Sequence, residues 1–189
     1  MLKIGIITGS TRPNRQSPAV ATWVLEAARK RSDAEYEVVD IKDFELPLLD
    51  ELMPPSMGNY QQAHTKRWAA KIASLDAFVF VSPEYNHGIP AALKNAIDFL
   101  FAEWKDKAAG FVSYGGAGGA RAVEQLRLVL AEVHVATVRA QVLLSLWTDF
   151  ENFAVFKPLP QQEQSVGTVL DQVVAWGGAL KQLRESRAA

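Results

Sequence analysis

The chain contains no cysteine. That excludes disulfides, thiolate nucleophiles, thiol redox centres and Cys-ligated metals together, so any redox chemistry must be carried by a cofactor. It has no excess of one charge: 20 Lys and Arg stand against 21 Asp and Glu, a formal net charge of −1. No broad basic field is available for nucleic acid or an anionic membrane, so neither is expected as a partner. No apolar run reaches the length of a transmembrane helix. The opening MLKIGIITGS leads straight into a strand and turn with no signal-peptide pattern, so a cytoplasmic protein is expected. The phosphate-loop pattern G-x-x-x-x-G-K-[ST], the dinucleotide pattern G-x-G-x-x-G, the nucleophile elbow G-x-S-x-G and the zinc pattern H-E-x-x-H are also missing. His64, His87 and His134 show neither metal-ligand spacing nor local pairing with Ser and Asp, which argues against a metal site and against a hydrolase.

What is present is ordinary globular composition with an orderly alternation of patterns. Of 189 residues, 49% are hydrophobic and 22% charged, enough to fill the core of one domain over residues 1–189. Strands are predicted at Leu2–Thr8, Tyr36–Ile41, Ala77–Ser82, Gly110–Tyr114 and Thr137–Leu144. The runs KIGIIT and AFVFV are nearly continuous in apolar residues, as in strands buried on both faces of a parallel sheet. Helices are predicted from Ser17 as N-cap to Lys30, over Tyr60–Ser74, from Pro90 as first helical residue, over Ala120–His134 and over Val166–Arg184. The third helix places Leu93, Ala96, Ile97 and Leu100 on one face, and the fourth Val123, Leu126, Leu130 and Val133. Residues 42–59 and 145–164 are read as long irregular connections. Five β-α repeats imply an α/β fold, a flavodoxin-like three-layer sandwich with a five-stranded parallel sheet in the order 2-1-3-4-5. Ligands of such sheets bind at the carboxyl ends of the strands around the switch point between strands 1 and 3.

The three most unusual stretches of the sequence follow strands 1, 3 and 4. TGSTRPNRQSP (8–18) supplies hydroxyls, amides and two cations and ends at a helix N-terminus, where backbone N–H groups and the helix dipole favour an anion. Its donors suit a compact terminal phosphate. SPEYNHGIP (82–90) is stiffened by two prolines, and Asn86 and Gly88 tolerate a left-handed backbone, so N–H groups can face a cleft beside Tyr85. SYGGAGGAR (113–121) has four glycines that let the backbone approach a flat ring. Read singly, each is a polar turn or a flexible loop; read together, they describe a pocket for flavin mononucleotide (FMN), with the phosphate in the first loop and the ring between the other two.

IGIITGSTRPNRQSPAVATWV, FVFVSPEYNHGIPAALKNAIDFL and SYGGAGGARAVEQLR, spread over residues 4–127, resemble the NAD(P)H-dependent FMN reductase family with its quinone, chromate and azo reductase members. PEYNHGIPAALKNAIDF is the most specific of these stretches. The resemblance implies an FMN-bound oxidoreductase that forms dimers or tetramers and uses NADPH or NADH. It implies phosphate contacts from Ser10, Arg12, Gln16 and Ser17 with Asn14 and Arg15 nearby, ring contacts from Pro83, Glu84, Tyr85, Asn86 and Gly88, and closure by Ser113, Gly115, Gly116 and Arg121. This chain has Arg15-Gln16-Ser17-Pro18 where many members continue Ser-x-Asn. The expected reaction passes hydride from NAD(P)H through FMN to a small-molecule acceptor in two half-reactions at one site, with no catalytic side chain. The alternative is a flavodoxin-type electron carrier, but such carriers tend to be strongly acidic and this chain is not. The aromatics of FLFAEW (99–104) and WTDFENFAVF (147–156) are expected to cover the core, line the site or form a subunit interface.

Overall fold

In the computed structural model, which describes residues 1–188, the run AFVFVSP forms the central strand of the sheet and is buried along its whole length. Strands β1 (Leu2–Thr8), β2 (Ala34–Asp40), β3 (Ala77–Pro83), β4 (Lys107–Gly115) and β5 (Val135–Ser145) pair in the order β2-β1-β3-β4-β5, all parallel. This is the flavodoxin-like order expected. Helices α2 (Ala63–Ala73), α3 (Ala91–Asp98) and α4 (Ala120–Glu132) cover one face, and α1 (Ser17–Arg29) and α5 (Gln161–Ala188) the other. Each face closes its own apolar core: Trp68, Phe78, Phe80, Trp104 and Phe111 fill one, and Ile4, Ile6, Val79, Val112 and Val169 the other.

Register decides where the site lies. Thr8 pairs with Asp40 and Val81, Pro83 with Tyr114, and Gly115 with Ser145. The strands therefore end level with one another, and the loops leaving β1, β3 and β4 emerge side by side. At the opposite end Asp76 accepts hydrogen bonds from the Lys3 backbone N–H (3.0 Å), Lys181 (2.9 Å) and Arg184 (2.8 Å), which ties α5 to the sheet away from the site.

Several boundaries differ from expectation. β4 begins at Lys107 rather than Gly110, because KAA carries no strand signal of its own and is recruited by pairing with β3 and β5. β5 gains Val135 and Ala136, and β2 starts at Ala34. Gln16, not Ser17, is the N-cap of α1, and Pro90 caps α3, which starts at Ala91. The connection expected over 145–164 contains an antiparallel hairpin, β6 (Phe150–Glu151) and β7 (Val155–Phe156), and the first turn of α5. The connection after β2 holds two short 3-10 turns, Ile41–Phe44, which takes Ile41 from the expected strand, and Pro55–Met57. In FLFAEW, Phe99, Leu100 and Trp104 are buried in the core rather than set out as an interface.

Candidate functional site

The loop after β1 is locked to its neighbour strand by the Gly9 N–H, which donates to the Val81 carbonyl (2.7 Å). Ser10 is buried, and its hydroxyl meets the Tyr85 hydroxyl at 2.8 Å. The Arg12 guanidinium lies 5.5 Å from the Tyr85 ring centre, which suits a cation–π contact. Asn14 turns the exposed tip with φ 55°. Arg15 reaches sideways to the Asp40 carboxylate at the end of β2, and Asp40 also accepts from Thr8 Oγ1 (2.8 Å) and the Lys42 N–H (3.0 Å). The Arg15 Nε is buried and has no hydrogen-bond partner in the protein. Ser17 does not cap the helix: it is the first helical residue, and its hydroxyl meets the Tyr114 hydroxyl at 2.7 Å. No side chain caps α1 and no acidic residue sits in its first turn, so the start of the helix keeps free N–H groups and positive dipole beside Arg12.

The loop after β3 folds as a tight turn. Tyr85 and Gly88 exchange backbone hydrogen bonds at 3.0 and 3.1 Å, with Asn86 (φ 49°) and His87 (φ 71°) between them, the two positive dihedrals of a type I′ turn. Glu84 is nearly buried and turns toward the third loop. It accepts from the Arg121 N–H (3.0 Å), the Ala122 N–H (3.3 Å) and Arg121 Nε (2.6 Å), and so caps α4. Burial pushes its carboxyl up, but Arg121 and the two N–H groups outweigh that and leave it below its ordinary value. A Cβ on Gly88 would stand 2.7 Å from Gln125 Oε1, so the turn sits close on α4.

The loop after β4 is shaped by Gly119, whose φ of 78° and space both demand glycine: a Cβ would lie 2.6 Å from Ser113 Cβ. Ser113 is buried and its hydroxyl donates to the Gly118 carbonyl (2.8 Å), bracing the loop from within. Around Gly116 nothing lies within 4 Å of a would-be Cβ, so its backbone is open to a flat partner. Burial raises the Tyr114 phenol well above its ordinary value, and the Ser17 hydrogen bond offsets this only in part. Tyr114 is therefore a neutral hydroxyl.

These elements enclose a cavity of about 230 Å³ lined by Arg12, Gln16, Pro83, Glu84, Tyr85, Tyr114, Gly115, Leu146 and Phe153. Six of the expected residues line it. Ser10, Ser17, Arg15, Ser113 and Arg121 stand behind it, each bonded to a group of an adjoining element, while Asn14, Asn86, Gly88 and Gly116 shape its turns. Leu146 was not singled out by sequence; Phe153 belongs to WTDFENFAVF, for which lining the site was one of three expected roles. A second cavity, about 310 Å³, lies on the other side of the first loop between Thr11, the turn after β2 and α3. It touches only one of the three loops, whereas the smaller cavity touches all three. Among the described residues no group of three or more His, Asp or Glu could hold a metal ion, and no helix is long and apolar enough to cross a membrane.

The fold is flavodoxin-like, and the cavity where the three loops meet is its candidate site. Residues 2–149 match the family model described as NADPH-dependent FMN reductase. An NAD(P)H-dependent FMN reductase of Schizosaccharomyces pombe is 44% identical over 149 residues, 78% of this chain and 74% of the relative. An NAD(P)H:quinone oxidoreductase of Solanum tuberosum is 34% identical over 134 residues, 68% of this chain and 67% of the relative. A solved flavoenzyme NAD(P)H:(acceptor) oxidoreductase from Paracoccus denitrificans superposes with a TM-score of 0.73 at 21% identity, over 95% of this chain and 98% of that one. The chain belongs to the NADPH-dependent FMN reductase family, whose members are oxidoreductases dependent on FMN and NAD(P)H.

Proposed function

We propose that the protein is a cytoplasmic reductase that carries electrons from NAD(P)H to a small-molecule acceptor, with FMN seated in the cavity where the three loops converge. The observation that carries this reading is the uncapped start of α1 beside Arg12, opening on a cavity that also meets the tyrosine turn and the glycine loop. The residues fit the cofactor: free N–H groups and Arg12 suit a phosphate, the orphaned Arg15 Nε leaves a buried donor behind the same loop, and the clear space around Gly116 suits a flat ring. FMN, when bound, supplies the two-electron chemistry that no side chain here can perform. Arg12 and the α1 N–H groups would hold the phosphate, with Gln16 closing that end. The turn at Tyr85–Gly88 and the backbone of Gly115–Gly116 would hold the ring. Asp40 fixes Arg15, and Glu84 fixes the glycine loop through α4, so both act by positioning.

NAD(P)H and the acceptor take the same open side of the pocket in turn, which calls for ping-pong kinetics. The quinone oxidoreductase relative supports a quinone as acceptor. Self-association to a dimer or tetramer belongs to the same reading, supported by the exposed Leu48, Leu52 and Met57 of the connection after β2. The test is initial-rate kinetics of the FMN-loaded protein at several NADPH and quinone concentrations. Parallel double-reciprocal lines are expected; intersecting lines would contradict the shared site, and no NADPH oxidation would contradict the reductase.

A further inference from the structure

The hairpin β6–β7 carries two sets of aromatic side chains with different surroundings. The inner set is packing: Phe150 and Phe156 lie 5.2 Å apart by ring centres, with Trp23 5.4 Å from Phe156 and Tyr114 5.8 Å from Phe150. The outer pair is not. Trp147 is 71% exposed and Phe153 55% exposed, yet their rings meet edge to face at 4.9 Å, and Phe153 lines the candidate cofactor cavity. Phe153 has φ 58°, directly after Asn152 at φ 51°. Asparagine is at ease in that conformation, but a bulky aromatic there is unusual, and the ring is held over the cavity at a local conformational penalty.

The arm that holds it is firmly rooted. Asp149 is buried and accepts from the Ser145 N–H (2.9 Å) and the Leu159 N–H (3.0 Å), while its own carbonyl accepts from the Lys157 N–H (2.9 Å). The tip lies beyond residues 2–149, the span that matches the family. Trp147, at the base of the arm, lies within that span.

We propose that Trp147 and Phe153 form the wall of an acceptor subsite at the mouth of the cofactor cavity, built to take a flat aromatic acceptor. The inference rests on the cofactor reading given above. A flat ring gains from an edge or a face of Phe153, whose orientation Trp147 braces. A compact inorganic oxyanion gains nothing from two apolar rings, so the wall favours quinone-like over oxyanion acceptors.

The experiment titrates anthraquinone-2-sulfonate into FMN-loaded protein by calorimetry without NAD(P)H, so that binding is read without turnover. Wild type is compared with Phe153→Asn and Trp147→Ala, and FMN affinity and thermal midpoint are measured for each. Expected are a dissociation constant for anthraquinone-2-sulfonate about 3- to 10-fold weaker in each variant, and unchanged affinity for FMN in Trp147→Ala, whose ring does not line the cofactor cavity. The midpoint of Phe153→Asn should be no lower than wild type, because asparagine accepts the left-handed turn. Trp147→Ala reads the wall without altering that turn. Equal anthraquinone affinity in all three proteins, or no binding to the wild type, would overturn the wall alone. Weaker FMN with unchanged anthraquinone binding would assign the ring to the cofactor and overturn it too. Wild-type protein that takes up no FMN would overturn the cofactor reading and this inference with it.

Discussion

Lys107 is buried at the first position of β4, where its ammonium donates to the Ile72 carbonyl (2.7 Å). Burial first, and the Arg184 charge second, lower its pKa from 10.5 to about 8, although Asp76 and Glu103 pull the other way. Between pH 8 and 10.5 the unfolded chain therefore holds a proton that the folded chain has released, and stability from this group rises with pH across that window. Wild type should gain about 1–3 kcal/mol relative to Lys107→Met between those two pH values, read by urea unfolding at each pH; a constant difference would contradict the buried charge. Glu84 works in the opposite sense. Its lowered pKa gives stability that is present at neutral pH and lost as pH falls through the folded value. Glu84→Ala removes the cap of α4 and should cost about 1–3 kcal/mol in thermal or urea unfolding. Neither role was legible in the sequence, where Glu84 is one residue of PEYN and Lys107 one of KDK. Each is decided by a partner far along the chain: Arg121 for Glu84 and Ile72 for Lys107.

Among the elements, β1 and β3 were readable because strands buried on both faces carry unbroken apolar runs. The β6–β7 arm was not, since two-residue strands have no period to read and their pairing depends on the Asp149 bracket. The start of α5 was missed for a related reason: QQEQS presents no apolar face, and the pattern begins only at Val166. Asp149→Ala frees two partly buried N–H groups and should lower stability by about 2 kcal/mol. It should also loosen the arm, raising amide exchange at Leu159; protection equal to wild type would contradict the bracket. The glycine loop makes the converse point. Its four glycines were visible, but only the structure separates Gly119, which packs on Ser113, from Gly116, which has open space. Gly119→Ala should destabilise by about 1–3 kcal/mol, while Gly116→Ala should leave unfolding within about 0.5 kcal/mol of wild type.

Across the whole molecule the two ends of the sheet do different work. The lower end is clamped by Asp76, Lys181 and Arg184, and the upper end gathers the loops into the cavity. The gathering of the loops was legible from sequence, because β-α alternation gives the strand order and the strand order brings three unusual loops together; the clamp was not, since it joins residues about a hundred positions apart. Leu146 was not legible, and Phe153 was legible only as one of several aromatics with three alternative roles, since both arrive from residues with no regular pattern. The connection after β2 leaves Leu48 84% and Leu52 88% exposed. Light scattering should accordingly give the mass of a dimer or tetramer, reduced in Leu52→Asp, and a monomeric wild type would contradict self-association. The central claim, a cofactor pocket formed where three loops meet, is tested most directly by the visible absorbance of the purified protein given FMN and then NADPH without oxygen. A two-banded yellow spectrum that stays with the protein through gel filtration and bleaches on adding NADPH is the expected result. A protein that emerges colourless, with FMN eluting separately, would contradict it.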